Sequence, residues 1–94
     1  MECPAPEVSH NHAMQRFEST IDGHLNVADY ALSGDRLVMT HTEVHPSLRG
    51  RGVAAALVEH ALAYARAEGL KVDPVCSYVR GYLNRHPEHR ALAG

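Results

Sequence analysis

Ninety-four residues, 45 % hydrophobic and 21 % charged, suffice for one globular core and little more, since single domains usually take roughly 50 to 200 residues. Eleven acidic against nine basic side chains leave a formal charge of -2, too little positive charge for binding nucleic acid through its phosphates. The longest apolar run, Val53 to Val58, falls far short of the about 20 residues of a membrane span. Met1 to Pro6 have neither the basic nor the apolar stretch of a secretory signal, so the expectation is a cytosolic protein with no membrane or nucleic-acid partner. Cys3 and Cys76 stand at opposite ends of the chain, unlike the close spacings of a stapled secreted scaffold, and read as free thiols.

Residues 1–13 contain two prolines, two histidines, a serine and an asparagine without an apolar period. They are expected to form a flexible arm in which His10 and His12 are solvated, the domain proper occupying residues 14–94. Met14 to Ser19 alternates weakly and His24 to Leu32 more clearly, which predicts two strands joined at Asp22-Gly23. Ser33-Gly34-Asp35 is turn chemistry, and Arg36 to Val44, rich in β-branched and apolar residues, predicts a third strand ended by Pro46. Val53, Leu57, Ala61 and Ala65 recur every four residues, predicting a helix over Val53 to Glu68 that Gly69 terminates. Leu70 to Cys76 reads as a short strand interrupted by Pro74, and Tyr78 to Arg85 as a second helix. The order β-β-β-α-β-α, with no internal repeat, is that of an α/β (α+β) domain with helices on a sheet.

The informative stretch is Glu43-Val44-His45-Pro46-Ser47-Leu48-Arg49-Gly50-Arg51-Gly52-Val53-Ala54, a strand, a glycine loop and a helix start in succession. Gly50 and Gly52 lack Cβ atoms, so backbone can approach a ligand, and the first amides of a helix have no intrahelical partner. With the helix dipole, that makes an anion site suited to a diphosphate. The stretch has neither the lysine and hydroxyl residue of a P-loop nor a G-x-G-x-x-G fingerprint, which disfavours nucleotide hydrolysis and Rossmann dinucleotide binding.

Arg49-Gly50-Arg51-Gly52-Val53-Ala54 resembles the pyrophosphate loop Q/R-x-x-G-x-G/A of the GNAT superfamily of N-acetyltransferases. Taken with His41-Thr42-Glu43-Val44, with Pro74-Val75-Cys76-Ser77-Tyr78-Val79 and with Arg85-His86-Pro87-Glu88, the set is similar to the minimal, single-domain YjdJ-type members, over nearly the whole chain from Met14. The resemblance implies a GNAT-like mixed, mainly antiparallel sheet and binding of acetyl-CoA, with no metal. The loop amides of Arg49, Gly50, Arg51, Gly52, Val53 and Ala54 would hold the pyrophosphate. Main chain near Val44 and His45 would meet the pantetheine arm. The thioester would lie between splayed strands, Thr40 to Val44 and Val72 to Cys76, with Cys76 at the mouth of the gap.

Acetyl transfer to an amine needs a base for the incoming ammonium, donors for the developing oxyanion and an acid for the departing thiolate. Cys76 is a candidate acid or nucleophile, though cysteine is also one of the commonest buried residues. Tyr82, one position from where the family pattern puts its acid, is a second candidate, with a core tyrosine as the alternative; Tyr78 falls on the same helix. His41 and Glu43 share strand parity and are candidate bases, a structural or solvated role being the alternative. Arg49, Arg51, Arg85, His86 and Arg90 are available to screen phosphates or to form a solvated charged face. No Cys or His cluster supports a zinc site.

The expected function is transfer of an acetyl group from acetyl-CoA to an amine, with an exposed lysine and a small amine both open as acceptor. The rival is a non-catalytic CoA or acyl-CoA-binding module; a nucleic-acid module using Arg49 and Arg51 is disfavoured by the net charge.

Overall fold

The computed structural model describes residues 7–93; Cys3 lies outside them. Alternation of buried and exposed positions builds three consecutive antiparallel strands, β2 (Arg16–Ile21), β3 (His24–Ser33) and β4 (Arg36–Glu43). Their first turn is set by Asp22 and Gly23, both at positive φ (53° and 77°), the twist that a two-residue hairpin turn requires. After β4 come a single 3-10 turn, Pro46–Leu48, and helix α1 (Val53–Glu68), which crosses over to bring β5 (Lys71–Pro74) parallel to β4. Helix α2 (Ser77–Arg85) and a second 3-10 segment, Pro87–Leu92, complete the chain. The fold is therefore the expected mixed, mainly antiparallel sheet with helices packed on it, in the order predicted from β2 onward.

One strand precedes that order. Ser9–Asn11 form β1, antiparallel to Arg16–Glu18, and the sheet runs β1-β2-β3-β4-β5. This corrects the boundary expected at residue 13 and the solvated reading of His10. The His10 ring stacks on Phe17 at 4.2 Å and hydrogen-bonds the Tyr30 hydroxyl. Burial there, and then the adjacent His12, hold its pKa below the usual histidine value. A three-residue strand of Ser9, His10 and Asn11, with no aliphatic side chain, leaves no apolar period to detect.

The core joins Phe17, Ala28, Tyr30, Leu37 and Met39 on one sheet face to Leu57, Val58, Ala61 and Leu62 of α1, and to Val79, Tyr82 and Leu83 of α2. Gly69 ends α1 at φ 70°, its amide reaching the Ala65 and Arg66 carbonyls, and the Leu70 amide returns to Ala65 O at 2.8 Å. Gly69→Ala is expected to cost about 1 kcal/mol, because an alanine must adopt the left-handed conformation. An unchanged chemical-denaturation midpoint would contradict that reading. Among the described residues, no helix is long and apolar enough to cross a membrane.

Candidate active site

β4 and β5 pair only from Arg36/Lys71 to Met39/Pro74. Proline has no N–H for the next rung, and the chain turns away after a last contact, Cys76 N–H to Met39 O at 2.9 Å. Beyond that point β4 is paired with β3 alone. A cleft of about 580 Å³ lies beside this unpaired part of β4, between His41 to Val44 on one side and the segment from Leu48 to Ala55 on the other, with Tyr78 of α2 also in its lining; Cys76 is not a lining residue but sits next to one, Thr42.

The second wall is the glycine loop. Gly50 and Gly52 stand at φ 81° and 80°, in the left-handed region, and a Cβ on either would meet no other residue within 4 Å. Glycine is thus required there by backbone conformation and by the open approach to the cleft, not by packing. Gly52 is the N-cap of α1; it supplies no side-chain cap, and no acidic residue occupies the first turn. The first amides of a sixteen-residue helix are left to face the cleft, which is what a bound anion needs. The site therefore fits a diphosphate by geometry and by sign of charge.

Of the residues expected to hold the cofactor, Val44, Arg49, Gly50, Gly52, Val53 and Ala54 line the cleft. His45 and Arg51 face the β2–β3 turn instead. The His45 ring stacks on His24 at 3.6 Å and its Nδ1 accepts the Ser47 N–H, while Arg51 lies 3.7 Å from the Asp22 carboxylate. Arg85, His86 and Arg90 are not among the lining residues.

The candidate catalytic residues separate into two groups because of an irregularity in β4. Tyr30 faces Met39 and Ala28 faces Thr42, so two steps along β3 match three along β4, a bulge that shifts the alternation by one residue. Thr42 consequently joins the core-side row, whereas His41 and Glu43 share the opposite row, paired with Asp29 and Val27. His41 Nε2 lies 3.3 Å from Glu43 Oε1, both side chains being well exposed at the rim of the cleft. Thr42, inside, takes up Cys76: Sγ lies 3.5 Å from Thr42 Oγ1.

Cys76 is a free, half-buried thiol at the N-cap of α2. Burial pushes its pKa up, but the Thr42 hydroxyl, followed by the amides of Val79, Tyr78 and Thr42, outweighs burial and holds the thiol below its ordinary value. The hydroxyl accepts from the thiol and can turn to donate to a thiolate. The α2 amides act as a positive end without closing a cap hydrogen bond of normal geometry.

Tyr82 is placed elsewhere. It is buried, its hydroxyl donates to Glu59 Oε2 on α1, and its ring stacks on His86 at 4.1 Å. Burial, then the Glu59 carboxylate, push its phenol far above the ordinary tyrosine value. One turn earlier on α2, Tyr78 is the tyrosine that reaches the cleft; the aromatic pair was visible in the sequence, but not which member faces inward.

A pH test follows from Glu59. Burial raises its pKa, yet hydrogen bonds from Tyr82 and His89 and the charges of His89 and His86 bring it below the usual carboxylate value. A carboxyl depressed on folding adds stability above its unfolded pKa and loses it as pH falls through the folded one. Tyr82→Phe is therefore expected to be less stable than wild type at pH 7, by a margin that shrinks below about pH 4, and to leave turnover unchanged. Loss of turnover with stability intact would return Tyr82 to the catalytic set.

Comparison with known proteins follows the same lines. The family described as GCN5-related N-acetyl-transferase matches residues 16–92. Protein NATD1 of Gallus gallus is 34 % identical over 88 residues, covering 90 % of this chain and 79 % of the relative. Protein NATD1 of Homo sapiens is 34 % identical over 88 residues, covering 90 % and 77 %. The solution structure of a GCN5-like protein from Staphylococcus aureus superposes with a TM-score of 0.76 at 22 % identity, over 94 % of this chain and 87 % of that one, a likeness of fold.

Proposed function

Because this chain belongs to the GCN5-related N-acetyltransferase family, we propose that it transfers an acetyl group from acetyl-CoA to the amine of an exposed lysine or a small molecule. The observation that carries this reading is the uncapped start of α1 behind two left-handed glycines, lining one cleft with the end of β4. When bound, acetyl-CoA supplies an activated acyl group whose C–S bond breaks as the C–N bond to the amine forms. The chain's own part is to bind and to move two protons. Amides from Arg49 to Ala54 hold the diphosphate, and Arg49 screens its charge. The pair His41 and Glu43, at the rim, takes the proton lost by the amine, directly or through water.

Cys76, beside Thr42 and Tyr78, gives a proton to the departing sulfur, a task suited to a thiol held below its ordinary pKa. The rim position of His41 and Glu43 leaves the acceptor side open to solvent, which suits an amine carried on a larger molecule. The experiment is release of CoA from acetyl-CoA with a panel of lysine peptides and small primary amines. Release above the protein-free rate with at least one amine is expected; saturable binding without release from any would identify a CoA-binding module instead.

A further inference from the structure

Asparagine is depleted in strands, and a buried amide is costly unless its hydrogen bonds are made. Asn26, the third residue of β3, is nevertheless wholly buried; among the described residues, Ser19 is the other buried polar side chain. Its amide is fully used. Nδ2 donates to Ser19 O at 3.1 Å and to His24 O at 3.2 Å, both within the β2–β3 hairpin, and Oδ1 accepts the His45 N–H at 2.8 Å. The first two bonds fix the side chain, and the third reaches across to the residue where β4 gives way to the glycine loop.

His45 is the first of a series of hydrogen bonds. Its carbonyl accepts the Leu48 N–H at 2.9 Å, and the Leu48 carbonyl accepts the Arg51 N–H at 3.3 Å, one residue before the Gly52 cap of α1. Two further contacts tie the loop to the same hairpin end: the stacked rings of His24 and His45, and Arg51 beside Asp22. We propose that Asn26 is the positioning residue of the anion loop, anchoring His45 to the β2–β3 hairpin so that Gly50 to Ala54 present their amides to the cleft. The proposal rests on the reading that this loop holds the phosphates of acetyl-CoA. It assigns to β3, which contributes no lining residue to the cleft, control over donor affinity.

The test combines amide hydrogen exchange without ligand and acetyl-CoA titration, on Asn26→Ala and on Asn26→Asp, which keeps the acceptor for His45. In Asn26→Ala, protection of the Leu48 and Arg51 amides is expected to drop while that of α1 and β4 persists. Affinity for acetyl-CoA is expected to fall about tenfold, the loss of one buried hydrogen bond's worth of loop order. Asn26→Asp is expected to retain more of both. Unchanged loop protection in a folded Asn26→Ala protein would overturn the proposal, as would equal losses throughout the sheet. Should Asn26→Ala not fold, exchange in the wild-type protein decides: a His45 amide as protected as the β3–β4 ladder, with Leu48 and Arg51 opening together with it, supports the anchor, and an unprotected His45 amide overturns it. If wild type binds no acetyl-CoA, the exchange result still judges the anchor while the function proposed for the cleft fails separately.

Discussion

Gly52→Glu is expected to weaken acetyl-CoA binding more than about 100-fold, since a fixed carboxylate would face the phosphates at the site meant for them. The same substitution should leave the protein folded. Forcing a side chain into φ 80° costs about 1 to 2 kcal/mol, and an acid at the bare N-terminus of α1 recovers about 0.3 to 1 kcal/mol through the helix dipole. Gly52→Ala separates the two terms: it carries the strain without the charge and is expected to lose affinity by about tenfold or less. Calorimetric titration beside thermal unfolding reads both quantities. Equal losses for the two variants would mean that Gly52 serves backbone geometry alone and that the loop meets no anion.

Cys76→Ala is expected to lower kcat about 100-fold or more with the KM for acetyl-CoA unchanged, because a proton donor to the leaving sulfur acts in the transition state and not in binding. The pH profile identifies the role. An acid must be protonated, so activity should decline as pH rises through the thiol's pKa, which lies below the ordinary cysteine value. Thr42→Val removes the hydroxyl 3.5 Å from the sulfur, so the thiol pKa should rise and the descending limb should move to higher pH. A wild-type kcat in Cys76→Ala would remove the thiol from the mechanism. An acetylated Cys76 trapped on acid quench would make it a nucleophile instead.

What the sequence conveyed was chiefly what glycine and proline enforce. Gly52 and Gly69 bound α1, Asp22-Gly23 made the first turn, and Pro74 marked where β5 stops, each through backbone limits that hold without tertiary context. The glycine loop from Arg49 to Ala54 followed from the same kind of signal, whereas Val44 as a cleft residue followed only from the resemblance to the acetyltransferase family. Residues whose roles depend on partners were not legible. Strand parity placed His41 beside Glu43, yet only the bulge in β4 reveals that Thr42 faces the thiol while that pair faces outward. Tyr78 and Tyr82 differ by about a helical turn, and the choice between cleft and core is settled by Glu59, a residue on another helix. His45 and Arg51 carry the side chains a phosphate would attract, but His24 and Asp22 occupy them. Asn26 gave no signal at all, since its three partners are backbone atoms.

The most direct test of the account is a titration of acetyl-CoA into the ¹⁵N-labelled protein followed amide by amide. Saturable shifts concentrated at Val44, at Arg49 to Ala55 and at Cys76 to Tyr78 are predicted, with β1, β2 and the Glu59–His89 contact undisturbed. Absence of saturable shifts, or shifts centred away from the end of β4 and the start of α1, would contradict the assignment of this cleft to acetyl-CoA and with it every catalytic role drawn from the residues in and beside it.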